Sequence, residues 1–276
     1  MEHKLMELIP QDVWQLIAKR LSQKDRSAAR AVSRFFFNKM TPEWDHYSRE
    51  CRKIRTIVAG FGHSLLLTET GELFGCGHNY YGQLGLGHTE NQVSWIPLRA
   101  NTHIHAIAAG RNHSLLVTET GELFGCGDNE YGQLGLGDTQ HQASWIRLTD
   151  KTPIRAIAAG AYHSLLLTET GELFGCGLNQ YGQLGGLGHT QHQASWIPLS
   201  DKAKIRSIVA GRRHSLLVTE TGELFGCGYN ISSELGLRHT QNQATWVKLN
   251  PFPKSHSLSF DELCHQRHLA FQSASL

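Results

Sequence analysis

The chain has 276 residues, of which 18% are charged, 40% are hydrophobic and 28 are glycine. A formal net charge of +2 excludes a strong electrostatic pull towards nucleic acid or a membrane surface. No stretch reaches the roughly 18 consecutive apolar residues of a membrane span, so a soluble protein is expected, with no signal-peptide run in the first nine residues.

The glycines divide the chain: all 28 lie between Gly60 and Gly236. The glycine-free head, residues 1–50, reads as three short helices. Pro10 suits a first helical turn, and Val13, Trp14, Ile17 and Leu21 follow at helical spacing. Ser22-Gln23-Lys24-Asp25 is a capping-box-like start for a second helix, and a third covers Ser33 to Met40, stopping before Pro42. Residues 1–55 carry 12 Lys/Arg against 7 Asp/Glu, a net of +5 that fits the solvated face of such helices.

The ordered set Ile9-Pro10-Gln11-Asp12-Val13, Ile17, Leu21-Ser22, Asp25, Val32-Ser33-Arg34 and Phe36 resembles an F-box. That resemblance implies docking on the Skp-type adaptor of a cullin–RING ubiquitin ligase, with Ile9, Pro10, Val13, Ile17, Leu21 and Val32 on the adaptor-facing surface. A small local core, or a seal on the end of the neighbouring domain, explains the same stripe without a partner. The partner reading rests on size, because a helical unit of ~40 residues buries too little surface to stand alone.

From residue 51 to residue 250 the sequence repeats itself. His63-Ser-Leu-Leu-Leu-Thr-Glu-Thr-Gly-Glu-Leu-Phe-Gly-Cys-Gly77 returns from His113, His163 and His214, at spacings of 50, 50 and 51 residues. Such a period signals stacked or radially arranged supersecondary units. Each unit predicts four short strands: Ile54 to Ala59, His63 to Thr68, Glu72 to Cys76 and Trp95 to Leu98 in the first. Glu69-Thr70-Gly71 makes the hairpin turn, and Gly82 to Gly87 a longer loop. Four strands at this period predict a mainly β array of propeller blades, over residues 54–103, 104–153, 154–204 and 205–250. The pattern A-G-x-x-H-S-L-L, T-G-E-L-F, G-x-N-x-Y-G-Q-L-G closely resembles the regulator-of-chromosome-condensation (RCC) propeller repeat. Propellers of that family commonly close with seven blades. Four units fit an open arc, a tight ring or half of a dimeric ring. The last unit loses the Tyr-Gly-Gln, reading Tyr229-Asn-Ile-Ser-Ser-Glu-Leu-Gly236, as a capping unit would. The tail, residues 251–276, offers one short helix from Ser259.

The chain shows no enzyme site. His63, His113, His163 and His214 share one register, but equivalent blade positions do not converge within the ~2.0–2.3 Å that zinc requires, so hydrogen-bonded structural histidines are expected. A serine hydrolase needs one distinctive serine, and Ser64 has a copy in every unit. Neither metal nor cofactor is expected. Cys76, Cys126, Cys176 and Cys227 also repeat once per unit, which argues against pairing and for a reducing compartment. That places the protein in the cytosol or nucleus of a eukaryotic cell, or inside a host cell if it is secreted by a bacterium. Near-identical repeats with a eukaryote-type head are similar to effectors of intracellular bacteria.

Comparison of the units shows where binding belongs. The turn T-E-T-G-E is invariant, whereas the pairs Phe61-Gly62, Arg111-Asn112, Ala161-Tyr162 and Arg212-Arg213 differ, as do the residues flanking the loop asparagine. Alternating strand direction puts both variable sets on one face. Aromatic and arginine side chains anchor protein interfaces, so Phe61, Arg111, Tyr162, Arg212 and Arg213 are the candidate client contacts; drift in exposed loops is the competing explanation. The expected function is a non-catalytic substrate receptor of a Skp–cullin–F-box ubiquitin ligase. The alternative is exchange on, or binding of, a Ran-type small GTPase. Nucleic acid is disfavoured, because the repeats carry 12 basic and 15 acidic residues between Thr56 and Leu249.

Overall fold

The computed structural model describes residues 53–98, 103–150, 153–199 and 204–251. They form sixteen strands in four antiparallel four-stranded sheets, each sheet in chain order. The first holds β1 (Ile54–Ala59), β2 (His63–Thr68), β3 (Leu73–Gly77) and β4 (Gln92–Leu98). The second holds β5 (Ile104–Ala109), β6 (His113–Thr118), β7 (Leu123–Gly127) and β8 (Gln142–Arg147). The third holds β9 (Ile154–Ala159), β10 (His163–Thr168), β11 (Leu173–Gly177) and β12 (Gln193–Pro198). The fourth holds β13 (Ile205–Ala210), β14 (His214–Thr219), β15 (Leu224–Gly228) and β16 (Gln243–Leu249). The mainly β expectation therefore holds among the described residues, which contain no helix. The helices expected in the head, with Ile9, Pro10, Val13, Ile17, Leu21 and Val32, lie outside the described residues, as does the tail helix.

The outer strand differs from expectation. It starts at Gln92 rather than Trp95, because Gly77 pairs with Gln92 across a bulge while Gly75 pairs with Ile96. The third strand is shifted by one, running Leu73–Gly77.

The run His-Ser-Leu-Leu-Leu-Thr does not alternate polar and apolar, and the packing explains why. A strand sandwiched between two neighbouring sheets buries both faces and reads as a continuous apolar run. All six residues of β6 and of β10 are buried, whereas β2 and β14, in the terminal sheets, are only partly so.

Three apolar cores fill the three joints. Leu65, Leu67 and Leu84 of the first unit meet Ile104, Ile107 and Leu116 of the second. Leu115, Val117 and Leu134 meet Ile154, Leu166, Phe174 and Trp196 at the next joint. Leu165, Leu167 and Leu184 meet Ile205, Leu217, Phe225 and Trp246 at the last. Each joint is one unit deep, so the array is quasi-one-dimensional. Among the described residues no further sheet packs on the first or on the fourth. On the first sheet Ile54 is 57% and Ile57 66% exposed, although their counterparts Ile104 and Ile107 are buried.

Candidate functional site

Each joint is fastened by the same polar chain. His63 Nε2 lies 2.9 Å from Ser114 Oγ, His113 Nε2 3.0 Å from Ser164 Oγ, and His163 Nε2 2.9 Å from Ser215 Oγ. Each serine donates its one hydroxyl proton to the carbonyl of Gln83, Gln133 or Gln183 at 2.7 Å. The serine oxygen must then accept from the imidazole, so Nε2 carries the proton and Nδ1 is bare. Burial holds these imidazoles neutral: His63 falls to about 4, and His113 and His163 to about 3. The same glutamine carbonyls accept from Cys126, Cys176 and Cys227 at 3.3–3.4 Å, and burial pushes those thiols well above their usual range. Histidine, serine and cysteine are thus joint-forming residues, and among the described residues no three metal-ligating side chains cluster.

The loop face is built from the turns that follow β1, β5, β9 and β13. The amide of Phe61 donates to Arg111 O, that of Arg111 to Ala161 O, and that of Ala161 to Arg212 O, at 3.1–3.2 Å. One hydrogen bond per joint sets the first variable residue of each unit in a row. The second variable set adjoins it, because His78, Asp128, Leu178 and Tyr229 donate to the carbonyls of Gly62, Asn112, Tyr162 and Arg213.

Along that face runs a ribbon of aromatic rings and guanidinium groups. Arg111 Cζ lies 4.8 Å from the centroid of Phe61 and 5.4 Å from that of Tyr162, within cation–π range of both. Tyr162 meets Tyr131 edge-on at 5.2 Å. Arg213 lies 5.1 Å above Tyr181 and donates to its hydroxyl at 3.2 Å, and Tyr181 meets Tyr229 edge-on. The ribbon brings Phe61, Arg111 and Tyr162 together. Arg213 belongs to its other end, and Arg212 is exposed beside it in the backbone row. Even with Arg111 against it, Phe61 is 77% exposed.

Tyr131 and Tyr181 escape the comparison of units because the first three units share the same Tyr-Gly-Gln. Their setting is what differs: Tyr81 meets His141, Tyr131 meets His192 and Tyr162, and Tyr181 meets Tyr229. Burial and the neighbouring Glu130 raise the Tyr131 hydroxyl above its ordinary value. A signal lay in the variable residues of the following unit rather than in the tyrosines themselves.

The face thus carries aromatic and cationic contact chemistry, and the chain as a whole is similar to known proteins. The RCC1-like domain profile matches residues 37–273. The secretion-regulating guanine nucleotide exchange factor of Bos taurus is 49% identical over 47 residues, 17% of this chain and 10% of that protein. Its Mus musculus counterpart is 49% identical over 49 residues, 17% and 11% of the two chains. Among solved structures, human WBSCR16 superposes with a TM-score of 0.64 at 26% identity, over 71% of this chain and 53% of that one. Yeast RCC1 (Prp20), solved bound to Kap60, gives 0.64 at 27%, over 72% and 49%. Prp20p of Saccharomyces cerevisiae, also described for its binding properties to Gsp1p and histones, gives 0.61 at 26%, over 72% and 51%. The chain thus spans about half the length of these solved relatives and matches about a tenth of the curated ones.

These findings overturn the ubiquitin-ligase receptor. The relatives are named for guanine nucleotide exchange, and the domain match begins at residue 37, inside the third helix assigned to the F-box. The physical reason for the error is that an apolar stripe at helical spacing reports a buried helix face and says nothing about which partner buries it. Over residues 37–273, head end, repeats and tail included, the chain belongs to the RCC1-like domain family.

Proposed function

We propose that the repeat array binds a small GTPase of the Ran type through its loop face and promotes release of the bound guanine nucleotide. Two findings support the reading: membership of the RCC1-like domain family, and sequence relatives named as guanine nucleotide exchange factors. The observation that carries it is the ribbon of Phe61, Arg111 and Tyr162, held in line by one backbone hydrogen bond per joint.

Exchange needs no covalent chemistry. A protein accelerates release when it binds the nucleotide-free GTPase more tightly than the loaded one, so the difference in affinity does the work. A rigid row of rings and guanidinium groups suits that task, since it loses little freedom on docking.

The test is release of a fluorescent guanosine diphosphate from a Ran-type GTPase in the presence of the purified chain. Acceleration by the wild type is expected. Arg111→Ala and Phe61→Ala should each weaken it by tenfold or more, in keeping with anchor residues that contribute about 2 kcal/mol, with thermal unfolding unchanged for Phe61→Ala. Neither release nor binding by the wild type would overturn the proposal.

A further inference from the structure

The two terminal sheets of the described array carry most of a further joint. His214 at one end and Ser64 at the other are the two halves of the His–Ser contact that fastens every internal joint. Gly236 keeps the glycine over which a tryptophan of the next unit packs elsewhere, as Trp145 packs over Gly85 and Trp196 over Gly135, and Trp95 is half exposed on the first sheet. Ile54 and Ile57 lie bare where Ile104 and Ile107 are covered. By these residues alone, the first sheet of one molecule would dock on the fourth sheet of another.

Four other residues oppose it, and all four sit where the two sheets would meet. At internal joints Gly82, Gly132 and Gly182 lie so close to the next unit that a Cβ would stand 2.3, 2.4 and 2.2 Å from the Cα of Ala143, Ala194 and Ala244. Real Cβ atoms do not approach backbone so closely. The fourth unit has Ser233 there, still at a positive φ of 65°. Gln83, Gln133 and Gln183 are wholly buried by the following unit. The fourth unit has Glu234, whose carboxylate accepts from Ser232 N at 2.9 Å. A further sheet would take that carboxylate out of water at a position where every internal joint buries a neutral amide. Ser232 replaces the tyrosine that elsewhere meets an aromatic ring of the next unit. On the opposite end, Val93 stands fully exposed in place of Ala143, Ala194 and Ala244 and adds two methyl groups at the tightest contact.

We infer that Val93 and the Ser232-Ser233-Glu234 triplet are docking blocks that keep two copies of this chain from joining end to end, either as a closed pair or as a growing chain of sheets. The remaining joint residues are intact, so removing the blocks restores the joint. The inference does not rest on the exchange reading.

Sedimentation of the full chain tests it. The wild type should sediment as a monomer across a wide concentration range. The variant carrying Val93→Ala, Ser232→Tyr, Ser233→Gly and Glu234→Gln should form dimers or longer species as its concentration rises, and Ile57→Asp added to it should return the monomer. Two results would overturn the inference: a wild type that self-associates and is made monomeric by Ile57→Asp, or a folded four-fold variant that stays monomeric. A reciprocal variant serves if the four-fold variant does not fold. Gly132→Ser with Gln133→Glu puts the same blocks into an internal joint and should lower the melting midpoint by roughly 10 °C. An unchanged midpoint would show that the blocks do not block.

Discussion

At the scale of single residues, two positions decide whether a joint holds. The first is the buried histidine. Its imidazole is neutral in the folded state because burial depresses it from 6.5 to about 4 at His63 and about 3 at His113 and His163. The unfolded chain binds protons near pH 6.5 and the folded one far lower, so between those values the unfolded state holds more protons. Stability from these groups is therefore complete above pH 6.5 and falls as the pH drops towards 3–4. Each buried histidine contributes a slope of up to about 1.4 kcal/mol per pH unit. Urea midpoints at pH 7.5, 6 and 5 should fall on acidification, before the carboxylates titrate. His113→Gln, which keeps a donor for Ser164, should lessen that fall; an equal slope in the variant would exclude His113 as one of its sources.

The second is the glycine at the joint. Gly132 and Gly222 share a positive φ of 81° and 81°, and their surroundings differ: a Cβ at Gly132 would stand 2.4 Å from Ala194 Cα, while nothing lies within 4 Å of one at Gly222. Alanine at Gly222 meets only the backbone penalty of about 1–2 kcal/mol. Alanine at Gly132 adds a clash with main chain and should cost about 3 kcal/mol or more in all. Chemical denaturation of the two variants separates the contributions, and equal losses would show that the joint yields.

At the scale of elements, the strands were legible and the site was only half so. Each inner strand carries a β-branched or leucine-rich run, and the turn after it ends in glycine, so β1 to β3 and their copies follow from local chemistry. The start of the outer strand is not legible in the sequence because Gln92, Val93 and Ser94 have no apolar periodicity; pairing across a bulge recruits them. The variable loops were placed on one face by strand direction alone, and the backbone row from Phe61 to Arg212 has that placement. The ribbon is only partly legible in the sequence, since Tyr131 and Tyr181 repeat Tyr81 of the first unit and acquire distinct roles only from the next unit's His192 and Tyr229. The irregular third loop also needs the structure. Gly186, the one extra residue in the period, is packed where a Cβ would overlap Leu199 O, and Trp246 Nε1 donates to that same carbonyl at 3.3 Å. Surface ion pairs add little by comparison: Lys248–Glu223 at 2.6 Å and Arg147–Glu122 at 3.6 Å are solvent-exposed.

At the scale of the whole array, stability should follow position rather than sequence. In a nearest-neighbour stack an inner unit is held by two joints and an end unit by one, so the ends open more readily. The repeats make this testable without correction for local chemistry. β2 and β10 have the same sequence, His-Ser-Leu-Leu-Leu-Thr, and β6 and β14 share His-Ser-Leu-Leu-Val-Thr. Identical peptides have nearly identical intrinsic exchange rates, so any difference between members of a pair reports the fold. β10 and β6 are wholly buried, while β2 and β14 alternate with partly exposed residues. Amide hydrogen exchange should accordingly be slower in β10 than in β2, and slower in β6 than in β14. Peptides that retain Phe61-Gly62 or Ala161-Tyr162 ahead of the histidine distinguish the first pair by mass, and Arg111-Asn112 or Arg212-Arg213 the second. If one joint contributes about 3 kcal/mol of protection, the inner strands exchange on the order of a hundredfold more slowly at neutral pH. Equal rates within both pairs would mean that the four sheets unfold as a single cooperative body, with the end joints as strong as the inner ones.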